Sequence, residues 1–101
     1  MNPANDIRIV HVRDQSRYDI YVDGARGGLA EYVLVDGVIT FTHTLTQPEL
    51  RGNGLAGHVV RQALDDARAA RLRVVPECWY IAQFIDRHPE YRDLLLEKPI
   101  G

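Results

Sequence analysis

The stretch that decides the fold reads Gln47-Pro48-Glu49-Leu50-Arg51-Gly52-Asn53-Gly54-Leu55-Ala56-Gly57. An apolar, β-rich run, Val38–Leu45, precedes it, and a helix-patterned segment, Leu55–Arg71, follows. Strand, glycine turn and helix in that order bring several backbone N–H groups to one point. The first turn of a helix has N–H groups without intrahelical partners, and the peptide dipoles add about half a positive charge there. Glycine lets a ligand approach the backbone closely, because no Cβ intervenes. The stretch therefore predicts an anion site, most naturally for phosphate. It lacks the Gly-Lys-Ser/Thr ending of a Walker loop. Gly52, Gly54 and Gly57 match Gly-x-Gly-x-x-Gly formally, but a dinucleotide fold places that loop after its first strand. Here four strand-like segments come first.

Those segments are Ile7–Val12, Arg17–Val22, Leu29–Val35 and Val38–Leu45. The first two read as an antiparallel hairpin around the turn cluster Asp14-Gln15-Ser16. Asp23-Gly24 opens a connection ending in Gly27-Gly28, and Asp36-Gly37 is a two-residue hairpin turn. Short turns leave no room for an intervening helix, so the four strands form a meander. Beyond the glycine turn, Leu55, Val59, Val60, Ala63, Leu64 and Ala67 make one apolar stripe at helical spacing. Arg61, Gln62, Asp65, Asp66 and Arg68 fall outside it, with Arg61 and Asp65 placed to pair at i,i+4. Arg73–Pro76 reads as a fifth strand and Trp79–Arg87 as a second helix, ended by His88-Pro89. The cluster Leu94–Leu96 should fold back on the sheet. A strand–helix–strand unit over 38–76 implies a parallel pair with a right-handed crossover. The expected fold is α/β (α+β), with a mixed, mostly antiparallel sheet.

With 101 residues, 46% hydrophobic and 26% charged, the chain reads as a single domain over 1–101 with its core at about 7–96. A net charge of −2 argues against nucleic acid. One cysteine allows no internal disulfide, and no metal cluster is visible. The polar start Met1–Asp6 and the lack of any long apolar run predict neither a signal peptide nor a membrane span. A cytoplasmic location is the simplest expectation.

Arg51–Ala56 resembles the Arg/Gln-x-x-Gly-x-Gly/Ala motif of the GNAT superfamily of N-acetyltransferases. The resemblance covers nearly the whole chain. Phe41-Thr42-His43-Thr44, the Arg51-Gly-x-Gly-x-Ala56 turn, Val75-Pro76-x-Cys78-x-Tyr80 and Pro89-Glu90-Tyr91 look like the small YjdJ-type branch, a minimal version of the acyl-CoA N-acyltransferase architecture. It implies acetyl-CoA as cofactor, with its pyrophosphate on the backbone of Arg51, Gly52, Asn53, Gly54, Leu55 and Ala56. Thr44, Leu45 and Thr46 would pair with the pantetheine amides like an added strand. The backbone N–H of Leu45 would polarise the thioester carbonyl, a donor whose value grows as charge develops. Tyr80 would contact the cofactor or donate a proton to the departing thiolate, or serve as a plain core aromatic.

The chain departs from the family in two places. With Ala82 aligned on the family alanine of the last helix, Trp79 stands at the usual Asn and Asp86 at the usual Tyr. The helix between the first two strands of larger members is missing. Cys78, after Pro76 at the end of the fifth strand, is then a candidate nucleophile that takes the acetyl group, with His43 as its base; a small buried apolar residue is the other reading. His43 has an ordinary pKa of about 6.5, suited to proton removal near neutrality. Glu31 is a candidate for holding a cationic amine. His11, His58, His88 and Tyr91 are read as surface or packing residues. The functional expectation is an acetyl-CoA-dependent N-acetyltransferase acting on a small-molecule or peptide primary amine, either directly or via acetyl-cysteine. The alternative is a coenzyme A-binding or protein-interaction module with little or no catalysis.

Overall fold

The computed structural model describes residues 6–46 and 55–96. Five strands form one sheet in the order β1-β2-β3-β4-β5: β1 Ile7–Val12, β2 Arg17–Val22, β3 Ala25–Val35, β4 Val38–Thr46 and β5 Arg73–Pro76. The first three pairings are antiparallel and β4–β5 is parallel. Helix α1, Leu55–Ala69, connects that parallel pair, and α2, Trp79–Arg87, follows β5. The mixed α+β architecture is the expected one.

Both helices bury their apolar stripes on one face of the sheet. Val59, Val60, Ala63, Leu64 and Ala67 of α1 and Ile81, Phe84 and Ile85 of α2 pack with Tyr18, Ile20, Ala30, Tyr32, Ile39, Phe41 and Val74. α1 ends where Arg71 turns left-handed (φ 60°). The Leu72 N–H then bonds to the Ala67 carbonyl and the Arg71 N–H to that of Arg68, closing the helix without glycine. A 3-10 segment, Pro89–Leu94, follows α2 and adds Tyr91 and Leu94 to the core. Leu95 then bridges to Val74, so the expected fold-back of the tail occurs through its backbone. Arg61 and Asp65 do not pair as expected: both turn to the Tyr91 hydroxyl, which donates to Asp65 (2.7 Å) and accepts from Arg61 (3.2 Å).

The expected start of the third strand at Leu29 is corrected. β3 begins at Ala25, and the connection from β2 is the two-residue turn Asp23-Gly24, with φ 50° and 87°. That is the same left-handed pair as Asp36-Gly37 in the β3–β4 hairpin (52°, 79°). Gly27 and Gly28 lie inside β3 for other reasons. The register runs Ile20↔Gly28, then Tyr21↔Arg26, which leaves Gly27 as the bulged residue. At Gly28 a Cβ would sit 2.6 Å from the Leu45 carbonyl oxygen and 3.0 Å from Ile20 Cγ2. Gly28→Ala must push β4 away, and is expected to cost about 1–3 kcal/mol. A chemical denaturation midpoint unchanged from the parent would refute that crowding.

His11 bonds to the Tyr32 hydroxyl (2.6 Å) and stacks on Tyr18 (4.0 Å). Burial, helped by the nearby Arg13, holds its pKa below the ordinary 6.5, against a smaller opposing pull from Asp66. The fold therefore favours neutral His11. Its contribution is complete above pH 6.5 and fades as pH falls below that value. Part of the acid loss in Tm between pH 7.5 and 5.5 is accordingly expected to vanish in His11→Gln; identical pH profiles would contradict it.

Candidate active site

A second bulge shapes the far half of β4. The register runs Tyr32↔Phe41, then Glu31↔His43, leaving Thr42 as the extra residue. A bulge shifts strand alternation by one. Ile39 and Phe41 are buried under the helices, whereas beyond the bulge Thr44 and Thr46 are half-buried and His43 and Leu45 exposed.

β5 accompanies β4 only as far as Phe41↔Pro76. The chain then turns: the Glu77 N–H bonds to the Val75 carbonyl and the Cys78 N–H to that of Phe41 (2.9 Å). Cys78 caps the start of α2. β4 runs on to Thr46 while β5 has left its side, so the two strands part into a gap. Cys78 stands at the head of that gap, its Sγ 3.5 Å from the Thr44 hydroxyl.

The sulfur is half-buried. Burial pushes the thiol up, but the Thr44 hydroxyl and the backbone N–H groups of Ile81, Tyr80 and Thr44 outweigh it and hold Cys78 below an ordinary thiol. No amide of α2 makes a formal side-chain cap bond to it; the first-turn N–H groups act as oriented dipoles. A thiolate is therefore more accessible here than on an isolated cysteine.

The sequence-predicted residues fall into three groups. Thr44 and Cys78 come together on the gap, and the Tyr80 backbone N–H turns to the sulfur; the Tyr80 side chain is half-buried, its hydroxyl against the first turn of α1, 3.8 Å from where a Cβ on Gly57 would stand. His43 and Leu45 point to the opposite, helix-free face, where Leu45 is 52% exposed and His43 lies opposite Glu31 in the register. Arg51, Gly52, Asn53 and Gly54, the expected phosphate loop, lie outside the described residues, as does the Leu55 side chain; Leu55 and Ala56 open α1. One expectation needs correction. The side chain beside Cys78 is Thr44, whereas His43, one residue away on an alternating strand, faces the other side. The strand amide turned to the sulfur is also that of Thr44. Sequence reasoning missed Thr44 as Cys78's partner, since a bulge leaves no residue-type signal in a Thr-rich strand.

A family model for the GCN5-related N-acetyltransferase matches residues 17–94. The chain belongs to this family. Protein NATD1 from Bos taurus is 31% identical over 86 residues, covering 82% of this chain and 75% of that protein. Among solved structures, a GCN5-like protein from Staphylococcus aureus superposes with a TM-score of 0.68 at 20% identity, over 93% of this chain and 90% of that one. Aminoglycoside acetyltransferase AAC(6')-Iy, bound to a CoA-S-monomethyl-acetylneamine bisubstrate analogue, gives 0.58 at 15% identity, over 98% and 95%. At such identities these neighbours establish the GCN5-related fold. Within that fold, this chain has α1, α2 and the β4–β5 gap, while its second sheet face is bare of helices among the described residues.

Proposed function

We propose that this chain transfers an acetyl group from acetyl-CoA to a primary amine, with Cys78 as the acetyl carrier. The observation that supports this best is the gap itself. One edge of β4 is released beside Thr44–Thr46, and a thiol held below its ordinary pKa stands at the gap's head. A free strand edge suits the pantetheine amides. The α1 N-terminus, with Leu55 and Ala56, suits the pyrophosphate, and the loop Arg51–Gly54 completes the cradle in this reading. Acetyl-CoA supplies an activated thioester.

The Cys78 thiolate attacks the thioester carbon. In this reading the Thr44 N–H, which is turned toward the sulfur, donates to the carbonyl oxygen as negative charge builds on it. The C–S bond to coenzyme A breaks, coenzyme A leaves as thiolate, and the acetyl group sits on Cys78. The acceptor amine then attacks that carbon, the C–S bond to Cys78 breaks, the nitrogen gives up its second proton to water, and the Cys78 thiolate is restored. An alkylammonium, with a pKa of about 10.4, must first lose a proton. An ordered water at the gap takes it in this reading, since His43 and Glu31 lie on the opposite face of the sheet from the Cys78 sulfur. In this reading the Tyr80 hydroxyl, against the first turn of α1, returns a proton to the departing thiolate.

The test is coenzyme A thiol release with acetyl-CoA and a panel of primary amines, read beside thermal unfolding. Amine-dependent release is expected, as is a stabilisation of about 2.7 kcal/mol at a hundredfold excess of acetyl-CoA over its Kd. Stabilisation without transfer to any amine would favour the binding-module alternative. Neither effect would overturn both readings.

A further inference from the structure

The sheet face turned away from α1 and α2 carries apolar side chains that neither helix covers. Val10 is 45% exposed, Val33 51%, Val35 58% and Leu45 52%. Strand alternation sets all four on that face, opposite the buried Tyr18, Tyr32, Ile39 and Phe41. Exposed apolar surface gathered on one face in this way marks a docking surface.

The pairing registers divide the face into rows running across β1 to β4. One row holds Val10, Asp19, Leu29 and Leu45, and the next holds Val12, Arg17, Glu31 and His43. A two-fold axis lying in the face, midway between β2 and β3 and along them, lays each row on its own reverse. Val10 then meets Leu45 of the second copy, and Arg17 meets its Glu31. The face is therefore complementary to itself, apolar against apolar in one row and cation against carboxylate in the other.

Arg17 and Glu31 are register partners within one chain, yet the Arg17 Nε turns to Asp19 at 3.0 Å and Glu31 stays exposed. A guanidinium has five N–H donors, enough for a second carboxylate. Asp19, which would meet Leu29, is already 2% exposed and held by Arg17 and by Arg26 at 3.5 Å. Docking strips little further water from it. With about 3.3 Å per residue and about 4.8 Å between strands, the face offers roughly 600 Å² in projection, and more as side-chain surface. A standard interface takes about 800 Å² from each partner.

We propose that this face binds a second copy of the chain, giving a symmetric dimer whose two sheets pack face to face. The Cys78 sulfur lies on the opposite face, so the dimer stands or falls apart from the acetyl-transfer reading.

The test is sedimentation velocity of the full chain from micromolar to millimolar concentration. A species of twice the 11.5 kDa chain mass is expected to grow in with concentration. Val10→Glu and Leu45→Lys each set a charge against an apolar side chain, and each should weaken the dimer by at least about tenfold. The two combined in one chain set carboxylate against ammonium across the axis and should recover the dimer, which a contact through any other surface would not do. Glu31→Arg, which sets two guanidinium groups against each other, should weaken it by a similar factor and carries the test if either apolar-site variant fails to fold. A monomer at every concentration would overturn the proposal and leave the face to a different protein. A dimer as tight in the single variants as in the parent, or a combined variant that stays monomeric, would also overturn it.

Discussion

Cys78→Ala is expected to lose acetyl transfer by more than about a hundredfold while still binding acetyl-CoA. The reasoning starts from the strand edge. β5 ends at Pro76, the Cys78 N–H beyond it donates to the Phe41 carbonyl, and the sulfur meets the Thr44 hydroxyl at 3.5 Å. The proposed hold on the cofactor runs through backbone N–H groups and does not require the sulfur, so an acetyl-CoA-induced rise in Tm should survive the substitution. Thr44→Val provides an independent reading of the same arrangement. It removes the first of the influences that lower the Cys78 pKa, so the thiolate fraction near neutrality falls and alkylation by iodoacetamide slows. The fold is expected to be undisturbed, since valine and threonine share a shape. Full turnover in Cys78→Ala would show direct transfer to the amine; an unchanged alkylation rate in Thr44→Val would remove the hydroxyl from the account.

The second large effect is on stability. Phe41 is 0% exposed and packs edge-on against Tyr32, while its backbone sits between the Thr42 bulge and the Cys78 N–H. Phe41→Ala removes a buried ring and leaves a cavity under α1, at a cost of about 3–5 kcal/mol. Against a typical domain stability of about 5–15 kcal/mol, that is a large fraction. For a chain of this size Tm should fall by more than about 12 °C. Because the same residue anchors the head of the gap, acetyl-CoA should stabilise the variant less than the parent even below its Tm. A loss under about 1 kcal/mol in denaturant would contradict the packing described for β4.

Much of the architecture is legible in residue types because it depends on periodicity and turn chemistry. The α1 stripe Val59, Val60, Ala63, Leu64 and Ala67 is buried as its spacing requires. Asp36-Gly37 forms the left-handed hairpin turn that its dipeptide announces. The β4–α1–β5 crossover follows from strand, helix and strand lengths alone. Asp23-Gly24 carries the same signal as Asp36-Gly37, yet the nearby Gly27-Gly28 pair outweighs it and reads as loop. Those two glycines mark a bulge and a place where the Leu45 carbonyl leaves no room for a side chain. Crowding between strands is a property of the assembled sheet and leaves no separate mark in sequence.

The same limit applies at the site. Cys78 stands out through its place after β5, and the glycine turn before α1 points to an anion. The orientation of Thr44 and His43, however, depends on a single extra residue, Thr42, whose bulge exchanges the two faces of the strand. Threonine is an ordinary strand residue, so no local preference announces the bulge. The reading of His43 as the base beside Cys78 therefore meets a structure that places Thr44 there.

The most direct measurement is peptide mass spectrometry of the chain after incubation with acetyl-CoA in the absence of an amine. The account predicts one acetyl group on Cys78, removed by hydroxylamine and discharged on adding a competent amine. Amine acetylation proceeding at full rate with Cys78 unmodified throughout would contradict it.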